Sequence, residues 1–285
     1  MSTKINANAH ITFIGGGNMG RALISGLLAN GFDANQISVV EANTATAQNL
    51  QNDFKVHIIS ALENIAFDFA KNNVVVMAIK PQDFNIAAKV LAPKLKHASA
   101  PSPLVLSIAA GIRLGDMSRW LEQKRCVRAM PNTPALIGKG ITGLFANADI
   151  NADDRVLAET ICKAVGQSVW VTDEKLMDAV TAVSGSGPAY VFAFLEAMQS
   201  AGEKLGLDTD TARKLAYATL EGATQLAQNS SESASVLRER VTSKGGTTAA
   251  ALEVLNQDGW HAILEKAIAA ADQRGKVMGD ELGKS

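Results

Sequence analysis

Short apolar runs alternate with longer mixed segments through the first two-thirds of the chain. β-Branched residues bounded by turn residues predict strands in these runs: Ile11–Ile14, Ile37–Glu41, Val74–Ile79, Leu104–Ile108, Cys126–Met130, Ile141–Phe145 and Ser168–Val171. Between the first two runs, Gly20–Asn30 carries apolar residues at helical spacing. Strands that alternate with helices predict a parallel sheet covered on both faces.

The pattern changes after Thr172, where Ala, Leu, Glu and Gln dominate and β-branched clusters disappear. Helical spacing predicts these helices: Lys175–Ala201, interrupted by SGSGP at 184–188, then Thr211–Asn229, Gly245–Asn256 and Trp260–Met278. A Ser-rich stretch, Gln228–Ser235, is linker-like. We therefore predict two domains, an α/β domain over residues 1–170 and an all-helical domain over residues 171–285.

Composition narrows the class of protein. The 285 residues fit two domains at about 100–200 residues each. A net charge of −1, from 27 basic and 28 acidic residues, argues against binding to nucleic acid or to an anionic membrane. The N-terminal ten residues lack the apolar core of a signal peptide, and no run approaches the roughly 20 apolar residues of a membrane span. We expect a soluble cytoplasmic protein.

The cysteines and histidines do not predict a metal site. Cys126 and Cys162 are too few for a disulfide scaffold or a four-thiolate site, and we expect them to be buried as small apolar residues. The histidines form no pair at the helical i, i+4 spacing of a zinc motif: His10, His57, His97 and His261.

A glycine-rich turn carries the strongest chemical signal. Gly15, Gly17 and Gly20 fit G-x-G-x-x-G between a predicted strand and a predicted helix, the context that a dinucleotide-binding loop requires. The fold expected is α/β, with a Rossmann-like doubly wound parallel sheet followed by helices. Glu41 ends the second strand roughly twenty residues later, where an acid takes ribose hydroxyls and disfavours a 2′-phosphate. Asn43 offers a hydrogen bond to such a phosphate, so the coenzyme preference stays open.

Unusual segments occur in a fixed order: FIGGGNMG (13–20), AIKPQ (78–82), SIAAGI (107–112), RAMPNTPA (128–135), SGSGPAYVF (184–192) and TSKGGTTAAALEVL (242–255). Together they resemble the pyrroline-5-carboxylate reductase family, over residues 11 to about 270. The resemblance implies reduction of the C=N bond of 1-pyrroline-5-carboxylate to L-proline, the last step of proline biosynthesis. NADPH is the implied coenzyme, with NADH possible. It also implies a helical domain that interleaves with a partner chain, so that a homodimer is the minimal unit and a decamer is possible.

The resemblance implies a role for individual residues. The pyrophosphate would be held by Gly15, Gly16, Gly17, Asn18, Met19 and Gly20, and the adenosine side contacted by Asn64. The rest of the cofactor would be lined by Ala78, Ile79, Lys80, Pro81, Ala109, Ala110 and Gly111, the last three near the nicotinamide. The substrate would be bound by Asn132, in a loop facing the reactive centre, and by Ser243, Gly245, Gly246, Thr247 and Thr248. Thr248, beside the ring nitrogen, would be the catalytic residue.

This assignment suits the chemistry. A protonated imine accepts hydride without a strong base, a hydroxyl suffices to hold its N–H, and backbone N–H groups before a helix suit a carboxylate. Two differences from the family pattern stand out: Lys244 replaces a frequent proline, and Glu232-Ser233-Ala234 stands where a His-Pro pair is common.

Plainer interpretations remain for several residues. Ser243 or Thr247 could cap a helix. Gly185 and Gly187 could permit close helix packing or a kink. Core or dimer-interface positions are expected for the aromatic residues Tyr190, Phe192 and Phe194.

Two other functions fit parts of the pattern. A β-hydroxyacid dehydrogenase-like enzyme would need a catalytic Lys at the start of the helical domain and an Asn one turn later, but Lys175 is followed at that distance by Ala179. A catalytically silent dinucleotide sensor would not need the Gly-Gly-Thr-Thr segment at 245–248. Both interpretations are therefore less favoured than the reductase.

Overall fold

The structure, a computed structural model, describes residues 9–284. It contains an eight-stranded sheet in the order β3-β2-β1-β4-β5-β6-β7-β8. The strands are β1 Ala9–Ile14, β2 Ile37–Val40, β3 His57–Ile59, β4 Asn72–Met77, β5 Leu104–Ser107, β6 Cys126–Met130, β7 Gly140–Ala146 and β8 Gly166–Trp170. Every predicted strand is present, and the short strand β3 is an addition.

The strands β1 to β6 are parallel, which confirms the predicted sheet. β7 pairs with β6 in the antiparallel sense, and β8 is parallel to β7, so the sheet departs from the predicted parallel arrangement at the β6–β7 pair alone. The physical reason lies in the connection between β6 and β7, residues 131–139. It is too short for the crossover of a dozen or more residues that a parallel pair needs.

Helices cover both faces of the sheet, which confirms a doubly wound fold. One apolar cluster joins Phe13 to Leu27 and Ile161, and the other joins Met77 to Phe84 on the opposite face. The helices of this part of the chain are α1 Asn18–Ala29, α2 Thr44–Phe54, α3 Phe84–Leu91, α4 Leu114–Leu121, α5 Ala152–Lys163 and α6 Leu176–Val180. Because residues Val74–Met77 of β4 alternate between the two clusters, both faces of this central strand are apolar, as is typical of buried parallel strands.

The remaining helices confirm the all-helical C-terminal part. They are α7 Gly187–Lys204, α8 Thr209–Asn229, α9 Ala234–Arg240, α10 Thr247–Gln257 and α11 Trp260–Leu282. The predicted linker Gln228–Ser235 is shorter than expected, because Ser233 caps α9 by accepting a hydrogen bond from Val236 N at 3.4 Å. None of the helices among residues 9–284 is long and apolar enough to cross a membrane.

The chain divides into two compact units, at a different place from the predicted boundary at residue 170. The first unit runs to Ser186 and includes the chain from Ala271 onward, and the second is Gly187–Ala270. The segment after β8 stays with the sheet because Arg128, buried in β6, lies 3.1 Å from a Glu174 oxygen and 3.6 Å from an Asp178 oxygen.

Candidate active site

Six parallel strands end at one edge of the sheet, and most of the predicted cofactor residues follow these strand ends. Gly15 N donates to Val40 O at 2.9 Å, and Ala78 N donates to Ile14 O at 2.8 Å. β1 lies between β2 and β4, because the strands that follow it are added first on one side of β1 and then on the other. In α/β sheets, ligands bind beside the carboxyl ends of the strands at such a topological switch point.

The glycine loop has the geometry of a pyrophosphate site. Gly15 has a φ of +95°, and a Cβ there would lie 2.6 Å from Ala78 O; at Gly20 it would lie 2.8 Å from Gly15 O. Gly17 begins α1 without a side-chain cap, a Cβ on it would meet no atom within 4 Å, and the first turn carries no acidic residue. The N–H groups of that turn, which include those of Asn18 and Met19, therefore face an open approach suited to an anion. These residues fit a dinucleotide.

Glu41, which follows β2, is hydrogen-bonded to this loop. Glu41 accepts hydrogen bonds from Gly16 N at 3.0 Å and from Asn43 N at 2.8 Å. The Asn43 side chain caps α2 by accepting from Thr46 N at 2.9 Å. Asn64, after β3, is exposed and donates to Ser60 Oγ at 3.2 Å. Contacts of Asn43 and Asn64 with the cofactor stay predictions.

The segments after β4 and β5 lie at the same edge. Lys80 is exposed and precedes Pro81, which begins a 3₁₀ turn, while Ile79 is half-buried. Ile108 N donates to Met77 O at 3.2 Å, which holds the segment of Ala109 and Ala110 beside the strand that leads to Ala78. This placement is compatible with a cofactor role for these residues, and the role stays a prediction.

The C-terminal end of α11 lies beside Gly111, a contact that the sequence pattern did not predict. Gly111 has a φ of +74°, and a Cβ on it would lie 3.0 Å from Leu282 Cδ1. Gly275, Gly279 and Gly283 recur every four residues along this part of the chain. A Cβ at Gly279 would lie 2.8 Å from Arg113 Nε. Glycines spaced four residues apart lie on one face of a helix, so this spacing indicates a face that packs closely against a neighbour.

Asn132 follows β6 and is buried. Its Nδ2 donates to Ser184 O at 3.1 Å, and its Oδ1 accepts from Ile141 N at 2.9 Å. Both ends of the amide are thus used within the protein, and direct contact with substrate stays a prediction.

The Gly-Gly-Thr-Thr segment forms the start of α10 in the second unit. Gly246 N donates to Ser243 O at 3.0 Å, and Gly245 has a φ of +74°. The residue before α10 is Gly246, without a side-chain cap, so the interpretation of Ser243 or Thr247 as a capping residue was wrong. The first N–H groups of α10, which include those of Thr247 and Thr248, are consequently open to a carboxylate.

The remaining candidates behave as structural residues. Cys126 and Cys162 are buried as expected, and burial raises the pKa of each thiol to about 12, so neither is a thiolate nucleophile near neutral pH.

Among residues 9–284, no cluster of His, Cys, Asp and Glu is arranged to hold a metal ion. Lys175 and Lys244 are exposed. Gly185 permits close packing, since a Cβ on it would lie 2.6 Å from Met130 Cε.

Comparison with known proteins defines the class first. Residues 10–111 match the family described as NADP oxidoreductase, coenzyme F420-dependent, and residues 174–278 match pyrroline-5-carboxylate reductase dimerisation. The fold and the glycine loop thus belong to a nicotinamide-dependent oxidoreductase.

Full-length relatives identify the family. The chain is 43% identical to the pyrroline-5-carboxylate reductase of Pseudomonas aeruginosa, covering 96% of this chain and 98% of the relative. It is 33% identical to that of Arabidopsis thaliana, covering 94% and 95%. The structure of the Coxiella burnetii enzyme has a TM-score of 0.88 at 39% identity and covers 95% of this chain and 98% of that one. The chain belongs to the pyrroline-5-carboxylate reductase family, which confirms the resemblance seen in its motifs.

Proposed function

We propose that this protein reduces the C=N bond of 1-pyrroline-5-carboxylate to L-proline, with NADPH as the coenzyme and NADH as the alternative. The observation that carries the proposal is the uncapped start of α10 at Gly246, formed by the segment most specific to the family. A related structure, the Plasmodium falciparum enzyme, was solved with NADP bound and has a TM-score of 0.81 at 29% identity, covering 96% of this chain and 99% of that chain.

The first unit binds the dinucleotide, which supplies the hydride. Gly15, Gly17 and Gly20 let the backbone approach the pyrophosphate, whose charge is stabilised by the N-terminus of α1. The segments Ala78–Pro81 and Ala109–Gly111 line the rest of the cofactor. These residues orient the reactive ring and exclude water from it.

The second unit binds the substrate. The carboxylate accepts hydrogen bonds from the open N–H groups at the start of α10, with Ser243 beside it. The Thr248 hydroxyl holds the ring N–H and retains the proton that makes the imine carbon accept hydride. Catalysis then rests on orientation and on electrostatic stabilisation, without a strong base.

The second unit also forms a homodimer. Its helices leave large apolar side chains in solvent, among them Phe192 at 58% exposure and Ile263 at 62%. Exposed apolar side chains in this number support an association site on these helices. The core interpretation of Phe192 and Phe194 does not hold within one chain, and we place both in the dimer interface, with a decamer as the possible larger assembly and the cytoplasm as the location.

The test is an assay of the purified protein with pyrroline-5-carboxylate and either NADPH or NADH, followed by absorbance of the reduced nicotinamide and by detection of L-proline. We expect proline to form in proportion to coenzyme oxidised. Binding of coenzyme without turnover would refute the proposal and favour the sensor. Sedimentation should give a particle of at least two chains, and a monomer at assay concentration would contradict the interface.

A further inference from the structure

We propose that Asn132 is a positioning residue for this reaction. It fastens the loop Met130–Ala135 to the π-helical turn Thr181–Gly185 and acts through that loop, a role that replaces the direct substrate contact implied by the family resemblance. The inference rests on the proposed function, since the loop follows β6 at the edge where the cofactor residues lie.

The Asn132 side chain joins two backbone groups that are distant in sequence. Its Nδ2 donates to Ser184 O, and its Oδ1 accepts from Ile141 N, the second residue of β7. Asn132 is 9% exposed, so water replaces these bonds poorly. Loss of the amide would leave the carbonyl of Ser184 and the N–H of Ile141, both half-buried, without this partner.

In a regular α-helix, the carbonyl of Ser184 would have no backbone N–H partner. Thr181–Gly185 is π-helical, with Ser186 N donating to Thr181 O at 2.8 Å. In an α-helix the donor to Ser184 O would be the N–H of residue 188, and Pro188 has none. Asn132 supplies a donor to that carbonyl. π-Helical turns of this kind occur frequently at functional sites.

Two glycines allow the strands β6 and β7 to pack closely against the helical segment that ends in the π-helical turn. A Cβ on Gly185 would lie 2.6 Å from Met130 Cε, and a Cβ on Gly143 would lie 2.4 Å from Val180 Cγ1. Only glycine fits at these two positions, so β6 and β7 lie close against the segment Leu176–Gly185. Once the amide bonds are lost, the loop can shift, and a displacement of about 1 Å in a positioning element can cost about a hundredfold in rate.

The experiment compares Asn132→Ala and Asn132→Asp with the wild-type enzyme. Aspartate keeps an acceptor for Ile141 N–H, removes the donor to Ser184 O and places a carboxylate oxygen against that carbonyl, so it disrupts the link to the π-helical turn while the link to β7 is kept. We expect both variants to lose about 10- to 100-fold in kcat with KM for the imine and the Kd for NADPH changed less than threefold. Hydrogen exchange should rise in residues 130–141 and 181–187.

Asn73→Ala is the matched control. Asn73 is also buried and donates from its amide to Asp68 O at 2.8 Å and to Lys71 O at 3.2 Å. It lies at the start of β4, at the opposite end of that strand from Ala78. Its loss should lower the melting temperature with kcat per folded enzyme unchanged, which separates general destabilisation from positioning.

Other outcomes overturn the inference. A tenfold or larger rise in KM with kcat retained would make Asn132 a direct substrate contact. Unchanged kcat and exchange would show that the amide positions nothing. If Asn132→Ala does not fold, Asn132→Asp carries the comparison. Failure of the wild-type enzyme to turn over pyrroline-5-carboxylate would refute the proposed function instead, and the exchange data would still decide whether Asn132 fastens the loop.

Discussion

The carboxylate of Glu41 accepts a hydrogen bond from the N–H of Gly16 at 3.0 Å, so the acid at the end of β2 is fastened to the phosphate loop. A second bond, from Asn43 N at 2.8 Å, holds the other oxygen. The result is a fixed negative charge where a dinucleotide places its adenosine ribose. We expect this carboxylate to repel a 2′-phosphate bound at this point, so that the enzyme discriminates less strongly in favour of NADPH than it would without Glu41.

Glu41→Gln should therefore shift coenzyme selectivity toward NADPH. Glutamine removes the charge and keeps one acceptor oxygen, so one of the two bonds, from Gly16 N–H or from Asn43 N–H, is retained. We expect the ratio of kcat/KM for NADPH to that for NADH to rise about tenfold, which corresponds to about 1.4 kcal/mol. Steady-state kinetics with both coenzymes measures the ratio.

Glu122→Gln is the control for this charge change, because Glu122 follows α4 at the other edge of the sheet and pairs with Lys96. An equal shift in both variants would show a long-range charge effect and would count against Glu41.

Gly17→Val should weaken cofactor binding without unfolding the protein. Gly17 has φ −66° and ψ −176°, which a β-branched residue adopts readily, and a Cβ there meets no protein atom within 4 Å. The added methyl groups occupy the approach of the pyrophosphate. We expect the Kd for NADPH to rise more than tenfold with the melting temperature within about 2 °C of wild type.

The contrasting variant is Gly20→Ala, whose Cβ would lie 2.8 Å from Gly15 O and should lower stability as well as affinity. Unchanged affinity in Gly17→Val would mean that the pyrophosphate binds elsewhere.

Thr248→Ala should lower turnover far more than it lowers cofactor affinity. The hydroxyl is assigned to the substrate nitrogen, so its loss affects orientation and the proton of the imine. We expect kcat to fall about 10- to 100-fold, with Thr248→Ser recovering most of it. Stopped assays give kcat, and fluorescence titration gives the Kd for NADPH. An equal loss of NADPH affinity would refute the assignment to Thr248.

The sequence predicted the parts of the fold that depend on local pattern. β-Branched runs located all the longer strands, and the spacing of Gly15, Gly17 and Gly20 located the cofactor loop. The direction of β7 was missed because it depends on the length of the 131–139 connection, which apolar periodicity does not report.

The rest of the site depends on contacts between distant segments. The bond from Asn132 to Ser184 O and the packing of Leu282 against Gly111 join residues far apart in the chain. Neither contact can be predicted from one segment of the chain alone, apart from the hint given by the glycine spacing at 275, 279 and 283. Side-chain roles that rest on resemblance alone, such as that of Asn64, stay predictions.

His10 should make stability depend on pH. It is bonded to Ser38 Oγ at 2.9 Å, and its pKa is lowered, first by desolvation and then by Lys71. The unfolded chain therefore binds the proton more readily than the folded chain. The stabilisation is complete above the ordinary pKa of 6.5 and is lost as pH falls through that value toward the lower pKa of the folded state.

Urea unfolding at fixed protein concentration between about pH 5 and pH 7.5 measures this dependence. His10→Gln should flatten the rise of the free energy of unfolding across that window. A slope equal to that of wild type would show that other groups cause it.

Gly111→Ala should destabilise the protein more than Gly138→Ala does. Both glycines have a positive φ, +74° and +70°, so alanine costs each about 1–2 kcal/mol in backbone strain. A Cβ on Gly138 would meet no atom within 4 Å, whereas a Cβ on Gly111 would press on Leu282 Cδ1 at 3.0 Å. The excess loss at Gly111, measured from denaturant midpoints, is therefore the cost of shifting the Leu282 side chain at the end of α11. Because the same loop is assigned to the nicotinamide, Gly111→Ala should also raise KM for the coenzyme, and Gly138→Ala should not. Equal losses in the two variants would mean that the end of α11 does not constrain the loop.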